Sequence, residues 1–470
     1  RTVSFIGLMN YTLLNRYVFH ASLNAEGNSA MGRNKRMGYF PAAGIAWNLQ
    51  NESFMESLRD RWLDEAKIRV SVGQSGRAPS GTSIYLGAYV KGDNYMNMSG
   101  TKPERMQLDD LHWETSTEYN YGADVMLFGG RLKFTFDYYQ KYIKDLLQKD
   151  YKLPSSTGFG SMRYYNSGKM ENKGWEFRAD AIFWKNKDWQ ISGYVNLSRN
   201  ENRITELPGN MAQETYEANN GKYAARVEVG QPVGAFYGYR YLGVYKDKDA
   251  TYARDASGNI MNDVHGKPIV MKNLTKACQP GDAIYEDINH DGVINQYDIV
   301  YLGNYNPVLT GGAGLTVKYK QVSLSAFFHG RFGQSIVNTA RMNNESMYSD
   351  DNQSTAVLRR WRNEGDVTDI PRALYKEGYN YLGSDRFVED ASFIRLKTLT
   401  LNYLFPKKIC NRLGINTLSC FVTGYNLFTW TNYTGQDPEV EIPTKPTDLA
   451  EDKATTPVSM RFAFGINLNF

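Results

Sequence analysis

The sharpest chemical pattern in the chain lies in its middle. Asp287 to Asp298 reads D-I-N-H-D-G-V-I-N-Q-Y-D. Oxygen donors fall at positions 1, 3, 5, 9 and 12: Asp287, Asn289, Asp291, Asn295 and Asp298. Val293 offers a backbone carbonyl at position 7, and Gly292 supplies a sharp turn at position 6. This is the spacing of a Ca2+ loop, in which hard oxygen ligands wrap a hard cation. The twelfth position is Asp, with a shorter reach than the usual Glu, so weaker binding is expected. A second reading stays open: an acidic turn held by Asx-type hydrogen bonds to its own backbone.

Aromatic residues form the other candidate set. Phe236 to Tyr245 reads F-Y-G-Y-R-Y-L-G-V-Y, and Tyr85, Tyr89 and Tyr95 recur in an earlier polar stretch. Aromatic faces stack on sugar rings and grip peptides, so Tyr89, Tyr237, Tyr239 and Trp361 are the expected ligand contacts. The alternative is that these rings pack on one another or against a lid. Enzyme chemistry finds little support. His20, His112, His265, His290 and His329 lie in no triad or metal spacing. Gly311-Gly312-Ala313-Gly314 opens an alternating stretch with no helix after it, so it is no phosphate loop. The chain is read as a non-enzyme without catalytic residues.

These residues must be held by strands. The last stretch, Pro457 to Phe470, places Val458, Met460, Phe462, Phe464, Ile466, Leu468 and Phe470 on one face. Small and polar residues take the other, because a strand has a side-chain period of two. Leu132, Phe134, Phe136 and Tyr138 alternate in the same way with Lys133, Thr135, Asp137 and Tyr139. Further strands are expected at 3–14, 16–26, 39–49, 67–76, 112–128, 174–185, 189–202, 309–319, 322–333, 391–405 and 417–430. Residues 51–64 read as a short amphipathic helix in a connection, through Phe54, Leu58 and Trp62. The stretch from Gly27 to Arg36 reads as a polar loop too rich in glycine and charge to enter a core.

The connections alternate. Those after Leu14, Phe128, Lys185 and Tyr319 are short, those after Leu49 and Phe405 moderate, and the others long, with 203–307 the longest. Short turns on one rim and long loops on the other are the asymmetry of an outer-membrane barrel. The composition agrees: 470 residues with 42 Gly, 34 Tyr and only 3 Cys, and a negative mean hydropathy. A barrel alternates lipid-facing and lumen-facing residues, so its average looks soluble. A net charge of +4 and the lack of a basic stripe give no support for nucleic acid as a partner. The expected fold is all-β: an antiparallel transmembrane β-barrel of about 13 strands, with long extracellular loops. Thirteen strands that begin and end running in the same direction cannot close a barrel in order, and open edges in lipid leave backbone groups unpaired. Residues 1–470 are therefore expected to be the C-terminal part of a larger barrel. The free edge of the last strand would pair with a strand outside this chain.

Many stretches resemble one family in order along the chain. They include G-Y-F-P-A-A-G-I-A-W, K-I-R-V-S-V-G-Q-S-G, W-E-T-S-T-E-Y-N, F-D-Y-Y-Q-K-Y-I-K-D-L-L and N-K-G-W-E-F. V-G-Q-P-V-G-A-F-Y-G-Y, G-D-A-I-Y-E-D-I-N-H-D-G-V-I, S-F-I-R-L-K-T-L-T-L-N-Y and N-L-F-T-W-T-N-Y-T-G-Q-D-P-E continue the series. The resemblance is to the SusC/RagA family of TonB-dependent outer-membrane transporters of Bacteroidetes. It implies a barrel of about 22 strands with an N-terminal plug and a TonB box, of which the present stretches match the barrel but not the plug, the TonB box or the first strands. Thirteen from about 22 leaves an odd remainder, as closure requires. The resemblance also implies several partners: a SusD-like surface lipoprotein as lid, an N-terminal plug/barrel fragment of the same transporter, TonB acting through that plug, and outer-membrane lipid. The expected function is TonB-dependent import of oligosaccharides or peptides across the bacterial outer membrane. Two other classes stay open: a surface binding or assembly-scaffold protein on the same barrel, and a soluble β-rich glycan binder. Apart from Ca2+, no cofactor is expected.

Overall fold

The computed structural model describes every residue except 60, 97, 209–220, 225 and 442–447. Its main feature is a thirteen-stranded sheet in which every strand neighbours the strand before it in the chain. The strands are β1 (Thr2–Leu13), β2 (Tyr17–Asn28), β3 (Met37–Asn48), β4 (Leu63–Arg77), β5 (Glu114–Leu127), β6 (Leu132–Lys144) and β7 (Lys169–Lys185). They continue as β8 (Trp189–Glu206), β9 (Leu309–Tyr319), β10 (Val322–Phe332), β11 (Phe393–Leu404), β12 (Thr417–Thr431) and β13 (Arg461–Asn469). The expected number of strands is present. Among the described residues no helix is long and apolar enough to cross a membrane, a fact that says nothing against crossing with strands.

Register follows the tight turns. Leu13 pairs with Tyr17 across the β1–β2 turn, where Leu14 and Asn15 both take left-handed backbone angles. Leu127 pairs with Leu132 across Gly129-Gly130. β7 and β8 run longer than the alternation predicted, with register shifts between Lys169 and Met170 and between Ile182 and Trp184. β13 begins four residues later than expected. The Val458 amide donates to Asp437 and the Ser459 carbonyl accepts from Asn426, so this stretch joins a connection before entering the sheet.

The sheet sorts its residues by face. On β4, Ile68, Val70 and Val72 are exposed, while Lys67 and Arg69 on the other face are engaged in ion pairs. On β13, Phe464 is 77% and Ile466 69% exposed. An uncovered apolar band of this extent is unstable in water and matches hydrocarbon. On the polar face the Arg69 guanidinium lies between Asp124 on β5 and Asp137 on β6, at 2.8 and 3.1 Å. Gly122 makes room for it: a Cβ there would sit 2.6 Å from the Arg69 Cζ.

The chain divides into two compact units, 1–210 with 311–325 and 403–414, and 211–310 with 326–402 and 415–470. In both, most buried apolar side chains lie in the connections rather than in the sheet. A sheet between lipid and lumen has little protein to pack against, so the loops build the cores. The Gly27–Arg36 stretch corrects its expectation. Ala30 and Met31 are fully buried, Ala30 among Ile84, Tyr85, Leu108 and Leu111, and Met31 with Phe40 and Trp113. The expected helix at 51–64 is reduced to two 3-10 turns and the single helical turn α1 (Glu56–Arg59). Phe54 is exposed, so no apolar stripe was available to hold a longer helix.

Candidate functional site

The candidate Ca2+ loop takes the conformation its glycine allows. Gly292 has φ +80°, and His290 before it is also left-handed. The carboxylates close the loop on its own backbone. Asp287 accepts from the amides of Asp291 (3.2 Å) and Gly292 (2.8 Å). Asn289 accepts from the Asp291 amide and Asp291 from the Val293 amide. Val293 enters a parallel pair with Lys272, and its carbonyl accepts from the Asn295 side chain. Asp298 is fully buried and accepts from the amides of Ile288 and Asn295, while Asn295 accepts from Tyr297, a reciprocal cap. Burial pushes the Asp298 carboxyl above its usual range, and repulsion from Asp287 and Asp291 adds to the shift. Each backbone donor occupies one lone pair of an oxygen that has two, so the acid and amide donors retain capacity for a cation. Among the described residues no three His, Cys, Asp or Glu groups meet as a metal cluster. A cation here would rest on mixed acid, amide and carbonyl donors.

The aromatic set separates into interior and surface. Tyr237 and Tyr239 are 0% and 1% exposed, in a core with Tyr245, Ala253, Ile294 and Leu382. This corrects their expected role: neither ring has a face left for a ligand. Tyr237 lies on a short strand, Ala235–Gly238, that pairs with Val300–Asn304, and Tyr239 just after it bridges to Ser384. Burial raises the hydroxyl of neighbouring Tyr241 to about 12 and the thiol of Cys278 to about 12. Trp361 is half-buried and covers Gly281, where a Cβ would fall 2.3 Å from the ring. It too acts in packing. Tyr85 is buried and accepts a hydrogen bond from Arg36. Tyr89 alone of the four expected contacts is open, 74% exposed on a hairpin of Ala88–Tyr95 with Met98–Arg105. The Tyr95 side chain lies outside the described residues.

The features that sequence reading missed are ionic. They tie three long connections together. Arg395 at the start of β11 places its guanidinium 2.6 Å from both Asp437 and Glu439, and Thr429 accepts from its Nε. Lys397 adds a second contact to Glu439. Arg341 in the helix α2 (Thr339–Glu345) bridges Glu345 and Glu389. Glu345 also takes buried Arg386 at 2.8 Å. Asp282, fully buried, holds Arg372 at 2.6 Å and Asn380 at 3.3 Å. Burial alone would push Asp437 and Glu389 up. For Asp437 the Glu439 amide and Arg395, and for Glu389 Thr434 and Arg341, outweigh it and hold both below their usual range. The available signal was the pair of blocks S-F-I-R-L-K and T-G-Q-D-P-E, in which charges sit where an apolar or turn residue would be ordinary.

Relatives agree with this architecture. Residues 1–265 match the family model described as TonB dependent receptor-like, beta-barrel. TonB-dependent receptor P3 of Formosa agariphila is 30% identical over 486 residues, spanning 100% of this chain and 45% of that protein. TonB-dependent receptor SusC of Bacteroides thetaiotaomicron is 29% identical over 493 residues, covering 100% of this chain and 44% of that protein. The chain thus spans about half the length of the curated relatives it matches. Among solved structures, that of the RagAB peptide transporter superposes with a TM-score of 0.79 at 24% identity, over 100% of this chain and 48% of the other. At that identity the likeness concerns the fold. The neighbour-to-neighbour sheet, its uncovered apolar band and the family match place the chain in the outer membrane, and it belongs to the TonB-dependent receptor β-barrel family, with SusC-like relatives.

Proposed function

We propose that this chain forms strands and external loops of a TonB-dependent importer that carries oligosaccharides or peptides across the outer membrane. The observation that carries the reading is the contrast between the two rims. One has tight turns; the other has connections that fold into buried, ion-paired cores of their own. Loops ordered at this cost in conformational entropy need a use, and a rigid rim that presents substrate to a gated lumen supplies one. The partners under this reading are a SusD-like lipoprotein closing on the external loops, and TonB acting through a plug and N-terminal barrel fragment. Tyr89 is the aromatic contact proposed for the ligand. The loop of Asp287, Asn289, Asp291, Val293, Asn295 and Asp298 is proposed to hold Ca2+, whose charge would offset the repulsion among its acids.

The test is uptake of a labelled oligosaccharide and a labelled peptide mixture by cells carrying the full-length protein. Deleting its TonB box is expected to abolish uptake of one label. Uptake of both labels that persists unchanged after the deletion overturns energy-coupled import. Surface binding with no uptake in the undeleted strain overturns import altogether and leaves the binding or scaffold reading.

A further inference from the structure

The short-turn rim carries a surface that import does not use. Its sector from the end of β7 to the helix α3 (Lys407–Arg412) is contiguous. The Lys320 amide donates to the Asp188 carbonyl at 2.7 Å, and the Leu404 amide donates to the Gln321 carbonyl at 2.8 Å. These bonds chain the β7–β8 turn, the β9–β10 turn and the end of β11. Cations dominate the sector: Lys185, Lys187, Lys320, Lys407, Lys408 and Arg412 are all exposed, and the turns and helix that carry them contain one carboxylate, Asp188. None of the six enters an ion pair among the described residues.

Apolar side chains interleave with this charge. Phe183 and Trp184 are exposed beside Lys185, and Trp189 packs in a tilted arrangement on Tyr319, ring centroids 4.4 Å apart. On α3 the buried Cys410 anchors the helix. Ile409 and Leu413, four residues apart, form one outward stripe, 41% and 61% exposed. Lys408 and Arg412, also four apart, form the adjoining stripe. The apolar side chains continue the exposed band of the sheet, through Tyr403 and Leu404 on β11. In outer-membrane barrels the short turns face the periplasm, so this sector meets the headgroups of the periplasm-facing leaflet. An aromatic and aliphatic belt beneath a cluster of unpaired lysines and arginines is the chemistry that holds an anionic headgroup.

We propose that the sector formed by Lys187, Lys320 and α3 is a docking site for an anionic glycerophospholipid of that leaflet. The phosphates meet Lys187, Lys320, Lys407, Lys408 and Arg412, and the glycerol and upper acyl region lies against Ile409 and Leu413. Charge complementarity and continuity with the lipid-facing band select a lipid over a soluble anion. A zwitterionic lipid carries its own ammonium group and gains less from the cluster. The site rests on the barrel's place in the membrane and is independent of what the protein transports.

Native mass spectrometry of the full-length protein in neutral detergent tests it, with phosphatidylglycerol and phosphatidylethanolamine titrated separately. Each cation removed is expected to weaken phosphatidylglycerol binding about fivefold, the equivalent of about 1 kcal/mol. The triple change Lys407→Gln, Lys408→Gln, Arg412→Gln should weaken it by about a hundredfold and leave phosphatidylethanolamine nearly unchanged. Lys187→Gln with Lys320→Gln, which leaves the helix untouched, should weaken it in the same direction. Neutralising Lys91 and Lys102 on the distant hairpin should change nothing. Equal retention of phosphatidylglycerol by both rim variants overturns the proposal. So does equal affinity for the two lipids, or displacement of bound lipid by soluble glycerol phosphate at similar concentration, which would mark a free-phosphate site.

Discussion

Arg395 and Asp437 meet at 2.6 Å across 42 residues of sequence. The Arg395 side chain is 4% exposed, and its partner carboxylate also accepts the amides of Glu439 and Val458. The contact therefore does two things. It fixes the start of β11 to the connection before β13, and it sets where the final strand can begin. Pro438 between the two acids keeps them on a rigid turn, so Glu439 reaches the same guanidinium from the other side.

Removing the cation should be costly. Arg395→Met leaves Asp437 and Glu439 facing each other without their shared partner. Breaking a buried pair from one side typically costs about 3–5 kcal/mol. The connection from Thr431 to Val458 should become protease-sensitive while the sheet remains intact. Adding Asp437→Asn and Glu439→Gln should recover much of the loss. A cleavage pattern identical to the parent protein would show that the contact does not hold the connection.

Acidification should act on the same assembly late. Asp437 and Glu389 have folded pKa values held below the usual range. A depressed carboxylate stabilises the fold above its unfolded value and loses that contribution as pH falls through the folded one. Ordinary carboxylates titrate near 4. Hydrogen-exchange protection in 389–392 and 432–440, taken relative to the intrinsic exchange rate at each pH, should therefore match that at neutral pH down to about pH 5, and fall only below about pH 4. A loss of protection between pH 7 and 5 would contradict the depressed values.

Much of this fold was legible because its signals are local. Period-two alternation and tight turns such as Gly129-Gly130 defined thirteen strands within a few residues. The failures have one cause. Loop residues were judged by their own composition, whereas burial in loops is decided by segments far away. Ala30 and Met31 look like polar-loop residues until Leu108 and Trp113 cover them. Tyr237 and Tyr239 look like ligand contacts until Leu382 closes over them. Arg395 finds its partners Asp437 and Glu439 only 42 and 44 residues further along the chain. The sharp turn at Gly292 was legible because glycine among Asx residues is itself a local signal.

The lipid face gives a directional test. Ile466 on β13 is exposed and pairs in register with Cys420, while Asn467 points the other way. Ile466→Arg should cost about 2–4 kcal/mol if the site lies near mid-membrane. Heat-modifiable migration on a gel would report a smaller assembled fraction. Asn467→Arg should assemble nearly as well as the parent. Equal effects at the two positions would mean that the strand does not divide lipid from lumen.

Calcium binding has its own readout. At a free ion concentration of about 100 times the dissociation constant, one bound Ca2+ adds about 2.7 kcal/mol to whatever unfolds with the loop. Millimolar Ca2+ should raise the unfolding temperature of the parent protein, and chelator should lower it. Asp291→Asn should remove the dependence on both. An unfolding temperature insensitive to calcium and chelator would leave the loop held by its Asx-type bonds alone.

Tyr237 and Tyr89 separate packing from recognition. Tyr237 is fully buried, so Tyr237→Ala should cost about 3–5 kcal/mol, as truncation of a core aromatic does. The loss should appear as looser exchange throughout the core that includes Tyr245 and Ile294. Tyr89 is 74% exposed, so Tyr89→Ala should change stability by less than about 0.5 kcal/mol. If it contacts ligand, that variant reduces uptake at unchanged assembly. A Tyr237→Ala protein that assembles with parental stability but loses ligand would reverse the assignment, because a ring with no exposed surface can weaken binding only through the structure it supports.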